Sequence, residues 1–548
     1  MVLHDYEFDS KYTKSIAYFS MEFAIHQALK IYSGGLGFLA GSHMRSAYDL
    51  RQNMVGVGIL WSFGYYDQTR NPDRTLKAEF VRKHYYFLKD LGVLATVKIN
   101  NQDVHLKAYY LPSNVFGSAP LILLSTDIPE NDFLARTITH KLYDMNQETR
   151  ISQEIVLGIG GVKVLEALQH SVDVYHMNEG HALPLAYELY AKYKDMDEVK
   201  KRVVFTTHTP EDAGNEQHDI HLLHNFGFFN GLDFNTVKEI MLVKEHEQLF
   251  NLTVGALRSA KVTNAVSRFH GEVANRMWEN TEGKCEITYI TNAQNRRYWI
   301  DKPLLAALDD QEDYQIVSRK KHLKSMLFNV VANQTGKMFD PDVFTIVWAR
   351  RFAEYKRPWL IKYDFERFRR LLERTDKKVQ LIFAGKPYPF DYGAINIFNE
   401  LIQISHDYPN MAVLVGYELD LSRLLKKGSD LWLNTPRVSR EASGTSGMSA
   451  SMNGTIQFST DDGWHPEFAK HGINAFTIPP IDHNQPIEMQ DAEDNKNMMD
   501  ILENEIIPTY YDKPSHWIEI MKNAMHDVNP AFDSGRMAHE YYIKMYNH

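Results

Sequence analysis

Short apolar runs rich in β-branched and aromatic residues recur along the chain, and each ends in small, polar or glycine residues: 16–19, 172–177, 203–207, 344–348, 379–384, 411–415 and 431–433. Stretches of helical periodicity separate them. Consecutive apolar positions suit a strand buried on both faces, so the pattern predicts parallel sheets covered by helices, the doubly wound α/β class. Ligands then bind beyond the carboxyl ends of the strands.

Helical periodicity over 314–332 ends in Gln334-Thr335-Gly336, and Phe339-Asp340-Pro341-Asp342 opens a new strand. A glycine stop followed by a proline-marked restart reads as a boundary. It separates two α/β lobes, over 1–335 and 336–510, followed by helices over 511–548 that are expected to pack back on the first. Two of these helices are expected, over 514–527 and after Asp533 or Ser534. Repeats, heptads and low-complexity tracts are absent.

The chain has 548 residues, too many for one core, and 60 basic against 70 acidic side chains give a net charge of −10, which argues against nucleic-acid binding. The lone Cys285 excludes an internal disulfide and fits a reducing compartment. The start of the chain lacks signal-peptide character, and no apolar run approaches the roughly 18 residues of a spanning helix. A cytoplasmic protein with no membrane partner is expected.

Three clusters carry candidate chemistry. Tyr32-Ser33-Gly34-Gly35-Leu36-Gly37 opens a helical pattern, as a phosphate-cradling turn or a plain tight connection would. Arg350, Arg351, Lys356 and Arg357 follow the apolar run 344–348, where a phosphate would arrive, although basic runs are also ordinary solvated faces. Glu441-Ala442-Ser443-Gly444-Thr445-Ser446-Gly447-Met448-Ser449 can form an anion-binding nest beside a carboxylate, or simply cap a helix. Two further strand ends carry Asn178-Glu179-Gly180-His181 and Thr207-His208. His218, His221 and His224 have helical spacing but no accompanying ligand set, so no metal site is assigned.

Together with Tyr18-Phe19-Ser20-Met21-Glu22-Phe23, Asn264-Ala265-Val266-Ser267, Phe383-Ala384-Gly385-Lys386 and Asn453-Gly454, these motifs resemble the α-glucan (glycogen, starch or maltodextrin) phosphorylases over nearly the whole chain, particularly their short prokaryotic branch. The resemblance implies a retaining glucosyltransferase of GT-B fold, two Rossmann-like lobes facing a central cleft. It assigns catalytic roles to Arg351, Lys356 and Glu441, and phosphate contacts to Gly34, Gly35, Arg350 and Thr445. Sugar contacts would come from Asn178, His181, His208, Ser443 and Gly444. Its partners would be an α-glucan with phosphate or glucose 1-phosphate, in a chain compatible with a homo-oligomer.

The family's cofactor is pyridoxal phosphate, bound as an imine to a lysine at the position held here by Ser449, so covalent attachment is not expected. Thr291-Asn292-Ala293-Gln294-Asn295 also departs from the family's glycine after asparagine. Two donors stay open, glucose 1-phosphate and a nucleoside diphosphate glucose, alongside a catalytically silent glucan-binding protein.

Overall fold

The structure is a computed structural model that describes residues 3–211 and 214–547. Nineteen strands run through the described residues, in two compact units. The first unit comprises the chain up to Tyr66, Phe80–Asn295 and the segment from Ser534 onward; the second comprises Asp67–Glu79 and Arg296–Asp533.

Nine strands form the first unit's sheet: β1 (Ile16–Phe19), β2 (Met54–Ile59), β5 (Lys89–Ile99), β6 (Gln102–Leu111), β7 (Leu121–Ser125), β8 (Val174–Asn178), β9 (Val203–Thr206), β12 (Val262–Ala265) and β13 (Glu286–Tyr289). Their order is β13-β12-β9-β8-β1-β2-β7-β6-β5. Pairing is parallel from β13 to β7, while β6 runs antiparallel to β7 and β5 antiparallel to β6. The antiparallel edge alternates exposed and buried residues, unlike the wholly buried central strands. Its hairpin therefore departs from the purely parallel sheet the apolar runs predict. A short ribbon of β10 (Gln217–Asp219) and β11 (Leu249–Asn251) lies outside this sheet.

The second unit has a fully parallel sheet of β14 (Phe344–Ala349), β15 (Val379–Ala384), β16 (Met411–Leu414), β17 (Leu431–Asn434), β18 (Ile456–Thr460) and β19 (Ala475–Ile478), ordered β16-β15-β14-β17-β18-β19. Strand periodicity explains why these sequences are apolar throughout. Phe344, Ile346 and Trp348 enter one core, while Val347 and Ala349 enter another. Each strand is the floor of two cores, with helices above and below. The strand order reverses direction beside β14, and a sheet of this type binds ligands at such a point.

Two segments differ from the boundaries read in the sequence. The helix Asp313–Thr335, placed at the end of the first lobe by its glycine stop, belongs to the second unit. Its Lys324 ammonium donates to Asp430 at 2.5 Å, and Leu323 and Leu327 enter that unit's cores. Gly336 caps this helix in the left-handed conformation at φ +73°, a local stop that carries no information about which core the helix covers. Likewise the helix Pro514–Ala531 buries Trp517, Ile520, Met521 and Met525 in the second unit, and only the segment from Ser534 onward joins the first.

Conversely, the hairpin β3 (Asp67–Arg70) and β4 (Leu76–Glu79) is inserted in the first unit's sequence but belongs to the second. The Gln68 amide donates to Gly385 O at 2.8 Å and accepts from the Gly416 and Tyr417 N–H groups at 3.0 and 3.3 Å. Among the described residues no helix is long and apolar enough to cross a membrane.

Candidate active site

In the second unit the chemistry begins where β14 and β17 end. Arg350 follows β14 directly, Lys356 closes a short turn of 3₁₀ helix, and Glu441 lies in the loop after β17. Arg350 Nη2 donates to Glu441 Oε2 at 2.6 Å, and Lys356 Nζ donates to the same oxygen at 2.9 Å. Burial alone would raise the carboxyl of Glu441, but these two cations outweigh it and hold the pKa down at about 2. The carboxylate is therefore a fixed negative charge.

Asp462 backs the same loop. Its carboxyl accepts from the N–H groups of Glu441 at 2.9 Å and Gly463 at 2.8 Å. Burial, with the Glu441 charge adding to it and those N–H groups opposing, pushes its pKa up to about 7. Arg350 and Lys356 bring two positive charges against the carboxylate of Glu441, and the raised pKa keeps Asp462 partly neutral near pH 7. The surplus favours an anion.

Arg350 Nη1, Ser443 Oγ and Asn434 Oδ1 are all buried without a hydrogen-bond partner, a concentration of unmet polar capacity around one loop. Gly444 has φ +84°, and a Cβ there would stand 3.3 Å from Glu441 Cγ and 3.5 Å from Arg350 Nη2, so glycine lets the loop close on the clamp. Gly385, after β15, is tighter. Its φ is +148° and a Cβ would reach 1.8 Å from Arg350 O, so the backbone carrying Arg350 depends on a bare glycine beside it.

The four cations of 350–357 take separate roles. Arg357 is fully buried and donates to Asp491 at 2.8 Å, Thr435 O at 2.9 Å and Pro436 O at 3.1 Å, which fixes the loop leaving β17. Arg351 is exposed. Thr445 precedes the helix Ser446–Ser451, and its side chain does not cap it. Ser449 is buried in that helix, its hydroxyl donating back to Ser446 O at 3.2 Å.

In the first unit, Gly34 and Gly35 open the helix Gly35–Asp49. Glu22 shapes this turn: its carboxylate accepts from the N–H groups of Ser33 at 2.6 Å and Gly34 at 3.1 Å, and from the Tyr143 hydroxyl at 2.7 Å. The amides of Ser33 and Gly34 are thus committed to a carboxylate, while the first-turn N–H groups after them have no acceptor within the helix. The sequence points to no role for Glu22 or Asp462. Each is a single acid whose partners are contacts of the fold, and only the place of Glu22 just beyond an apolar run hints at it.

At the ends of β8 and β9 the structure joins Asn178 and His208, whose Nε2–H donates to Asn178 Oδ1 at 2.7 Å. Burial, with His270 and His181 nearby, lowers the His208 pKa to about 3, so the ring is neutral. Between Asn178 and His181, Glu179 has φ +72° and ψ 167°, a region nearly reserved for glycine. Its carboxylate accepts from the His208 N–H at 2.9 Å and from the Thr209 hydroxyl at 3.1 Å, which holds the strained residue in place.

His181 turns toward a different group. Its Nε2 is 3.8 Å from Glu216, which pairs with Arg150 at 2.7 Å. The three spaced histidines diverge: His221 stacks on Phe234, the His224 ring bonds Leu232 O, and His218 alone lies beside Glu216, at 3.2 Å.

Parallel sheets with a cation-clamped carboxylate at the strand ends define a protein of Rossmann-like α/β class. Residues 242–507 match the carbohydrate phosphorylase family. The chain is 32% identical to the glycogen phosphorylase of Aquifex aeolicus, over 99% of this chain and 87% of that protein. It is 30% identical to the maltodextrin phosphorylase of Thermococcus litoralis, over 98% and 71%. It is also 47% identical to an uncharacterised protein of Methanocaldococcus jannaschii, over 97% and 100%. The chain belongs to the carbohydrate phosphorylase family, and is a glycosyltransferase-type enzyme.

That family normally uses pyridoxal phosphate. At position 449 the side chain is a hydroxyl already bonded to its own helix, and a hydroxyl cannot form an imine. An imine to pyridoxal phosphate therefore cannot form at position 449.

Proposed function

We propose that this chain transfers a glucosyl unit, with retention, between an α-1,4-glucan and phosphate, in the GT-B class with the two units as its lobes. The observation that carries this reading is the surplus positive charge of Arg350 and Lys356 over Glu441, next to buried donors with no partner. In this reading Arg350 and Lys356 exchange the carboxylate for the oxygens of the substrate phosphate, and Arg351 adds a third cation. Cations fixed beforehand stabilise charge on the phosphate in the transition state without reorganising.

Released from the cations, Glu441 accepts hydroxyls of the glucosyl unit, helped by Ser443 and Gly444. Asn178 and His208 present neutral polar groups to the sugar, and His181 contributes from the same strand end. First-turn amides after Gly34 and Gly35 supply further phosphate donors, and Thr445 contacts a second phosphate. Exclusion of water protects the activated sugar from hydrolysis. The protein acts in the cytoplasm on glucan and a phosphorylated glucose.

One specific observation favours a second reading, a nucleoside diphosphate glucose as donor: the side chain at position 449 carries no amine, so the second phosphate there need not belong to an anchored cofactor. Purified protein is incubated with maltodextrin and, separately, orthophosphate, glucose 1-phosphate and a panel of nucleotide glucoses. Release of phosphate from glucose 1-phosphate supports the first reading. Turnover with a nucleotide donor alone supports the second, and glucan binding without turnover on any donor rejects both in favour of a silent glucan-binding protein.

A further inference from the structure

We propose that Glu154, Glu216 and His218, all in the first unit, bind one divalent transition-metal ion of the Zn²⁺ or Mn²⁺ class. The inference is independent of the donor and of the glucosyl-transfer reading. Each residue offers one ligand atom, and the three atoms lie within 4.8 Å of one another. Glu154 comes from the last turn of the helix Gln147–Ile155, Glu216 immediately precedes β10, and His218 stands on β10.

Glu154 makes the cluster more than a group of acids. It is fully buried, and neither carboxyl oxygen has a hydrogen-bond partner. A buried carboxylate in that condition requires a cation or a proton. Arg150 meets the need only in part: its Nη2 is 2.7 Å from Glu216 Oε2 and 3.9 Å from Glu154 Oε1, so one guanidinium is shared between two carboxylates and sits closer to the other. Two carboxylates against one guanidinium leave a negative charge uncompensated, with His181 Nε2 3.8 Å away on the Arg150 side of Glu216.

His218 adds a third ligand atom to the two carboxylates. Its Nε2 lies 3.2 Å from Glu216 Oε1, a hydrogen-bond contact that is also a spacing two ligands of one ion can keep. The far nitrogen, Nδ1, is held by the Gln147 side-chain amide at 2.9 Å. As placed, the amide N–H donates to Nδ1 and the ring proton is on Nε2; binding of an ion at Nε2 requires the amide to turn over so that its oxygen accepts from Nδ1, the outer support that metal-binding histidines ordinarily have. One imidazole and two carboxylates form a borderline donor set. Calcium and magnesium prefer more oxygen ligands and soft ions prefer thiolates, so zinc or manganese with water completing the sphere fits best.

Full-length protein, stripped with a chelator, is titrated with Zn²⁺ and with Mn²⁺ by calorimetry and equilibrium dialysis with metal analysis. The expected result is one ion per chain for at least one metal, weakened 10- to 100-fold or more in both Glu154→Gln and His218→Gln with unchanged circular dichroism. Co²⁺ is expected to give ligand-field bands in the wild type that both variants lose. Failure of the wild type to bind either ion stoichiometrically overturns the proposal and leaves the carboxyls sharing a proton. Binding that persists at full strength in both variants overturns it too, since the ion then sits elsewhere. If one variant does not fold, the other decides; if neither folds, the wild-type stoichiometry and Co²⁺ spectrum do.

Discussion

Glu441 keeps two cations, Arg350 and Lys356, at a fixed point in the second unit. Its depressed pKa has a consequence for stability. A carboxyl held at about 2 in the folded chain, against an ordinary 4.5, contributes stability above pH 4.5 and loses it as the pH falls toward 2. The window corresponds to on the order of 3 kcal/mol. Denaturant midpoints measured between pH 6 and 3 are expected to fall more steeply in the wild type than in Glu441→Gln; parallel profiles would remove the clamp.

Asp462 works in the opposite direction, since its raised pKa makes stability decline as pH rises from about 4 toward 7. For catalysis, Lys356→Ala is expected to lower kcat/KM by two to three orders of magnitude, corresponding to roughly 3 to 4 kcal/mol of lost charge stabilisation. Wild-type turnover in that variant removes Lys356 from the site. Arg350 and Lys356 are readable in the sequence because they crowd into one short run at a strand end. Glu22, Asp462 and the strained Glu179 are not, since a carboxyl's partners are decided by the fold.

The most informative elements are those whose sequence position misleads. Hairpin β3–β4 joins the second unit through Gln68, which makes three hydrogen bonds to backbone groups near the carboxyl ends of β15 and β16. Gln68→Ala leaves those groups without partners, and a loss of about 2 to 4 kcal/mol is expected in thermal or denaturant unfolding. A change below about 0.5 kcal/mol would mean that water replaces the side chain without penalty. The helix Asp313–Thr335 shows the same limit from another side. Its periodicity and glycine stop are plain in the sequence, but amphipathicity says that one face is covered and not by which sheet. Parallel pairs are legible as apolar runs, whereas β5 and β6, half exposed, carry a weaker signal.

For the molecule as a whole, the chain's last segment completes its first unit. Ser46 and Ser534 hydroxyls meet at 2.5 Å, the Gln52 amide donates to Ala538 O at 3.1 Å, and the Tyr546 hydroxyl meets His176 Nδ1 at 2.7 Å inside the core. Tyr541 and Tyr546 are buried beside His176. Deleting residues 534–548 uncovers this aromatic layer, and the truncated chain is expected to lose cooperative unfolding and to aggregate; a soluble truncation with an unchanged melting transition would contradict that account.

Alone, the sequence determined that this protein is α/β with parallel sheets, that cations and a glycine turn stand at strand ends, and that position 449 carries no amine. Those properties follow from local pattern and residue chemistry, which neighbours in the chain dictate. Only the tertiary structure decided that Arg350 and Lys356 share Glu441, that Glu22 shapes the glycine turn, and that a buried Glu154 faces Glu216 and His218. Such pairings join residues from about a dozen to about ninety positions apart, and burial in a common environment, not proximity along the chain, sets their charge.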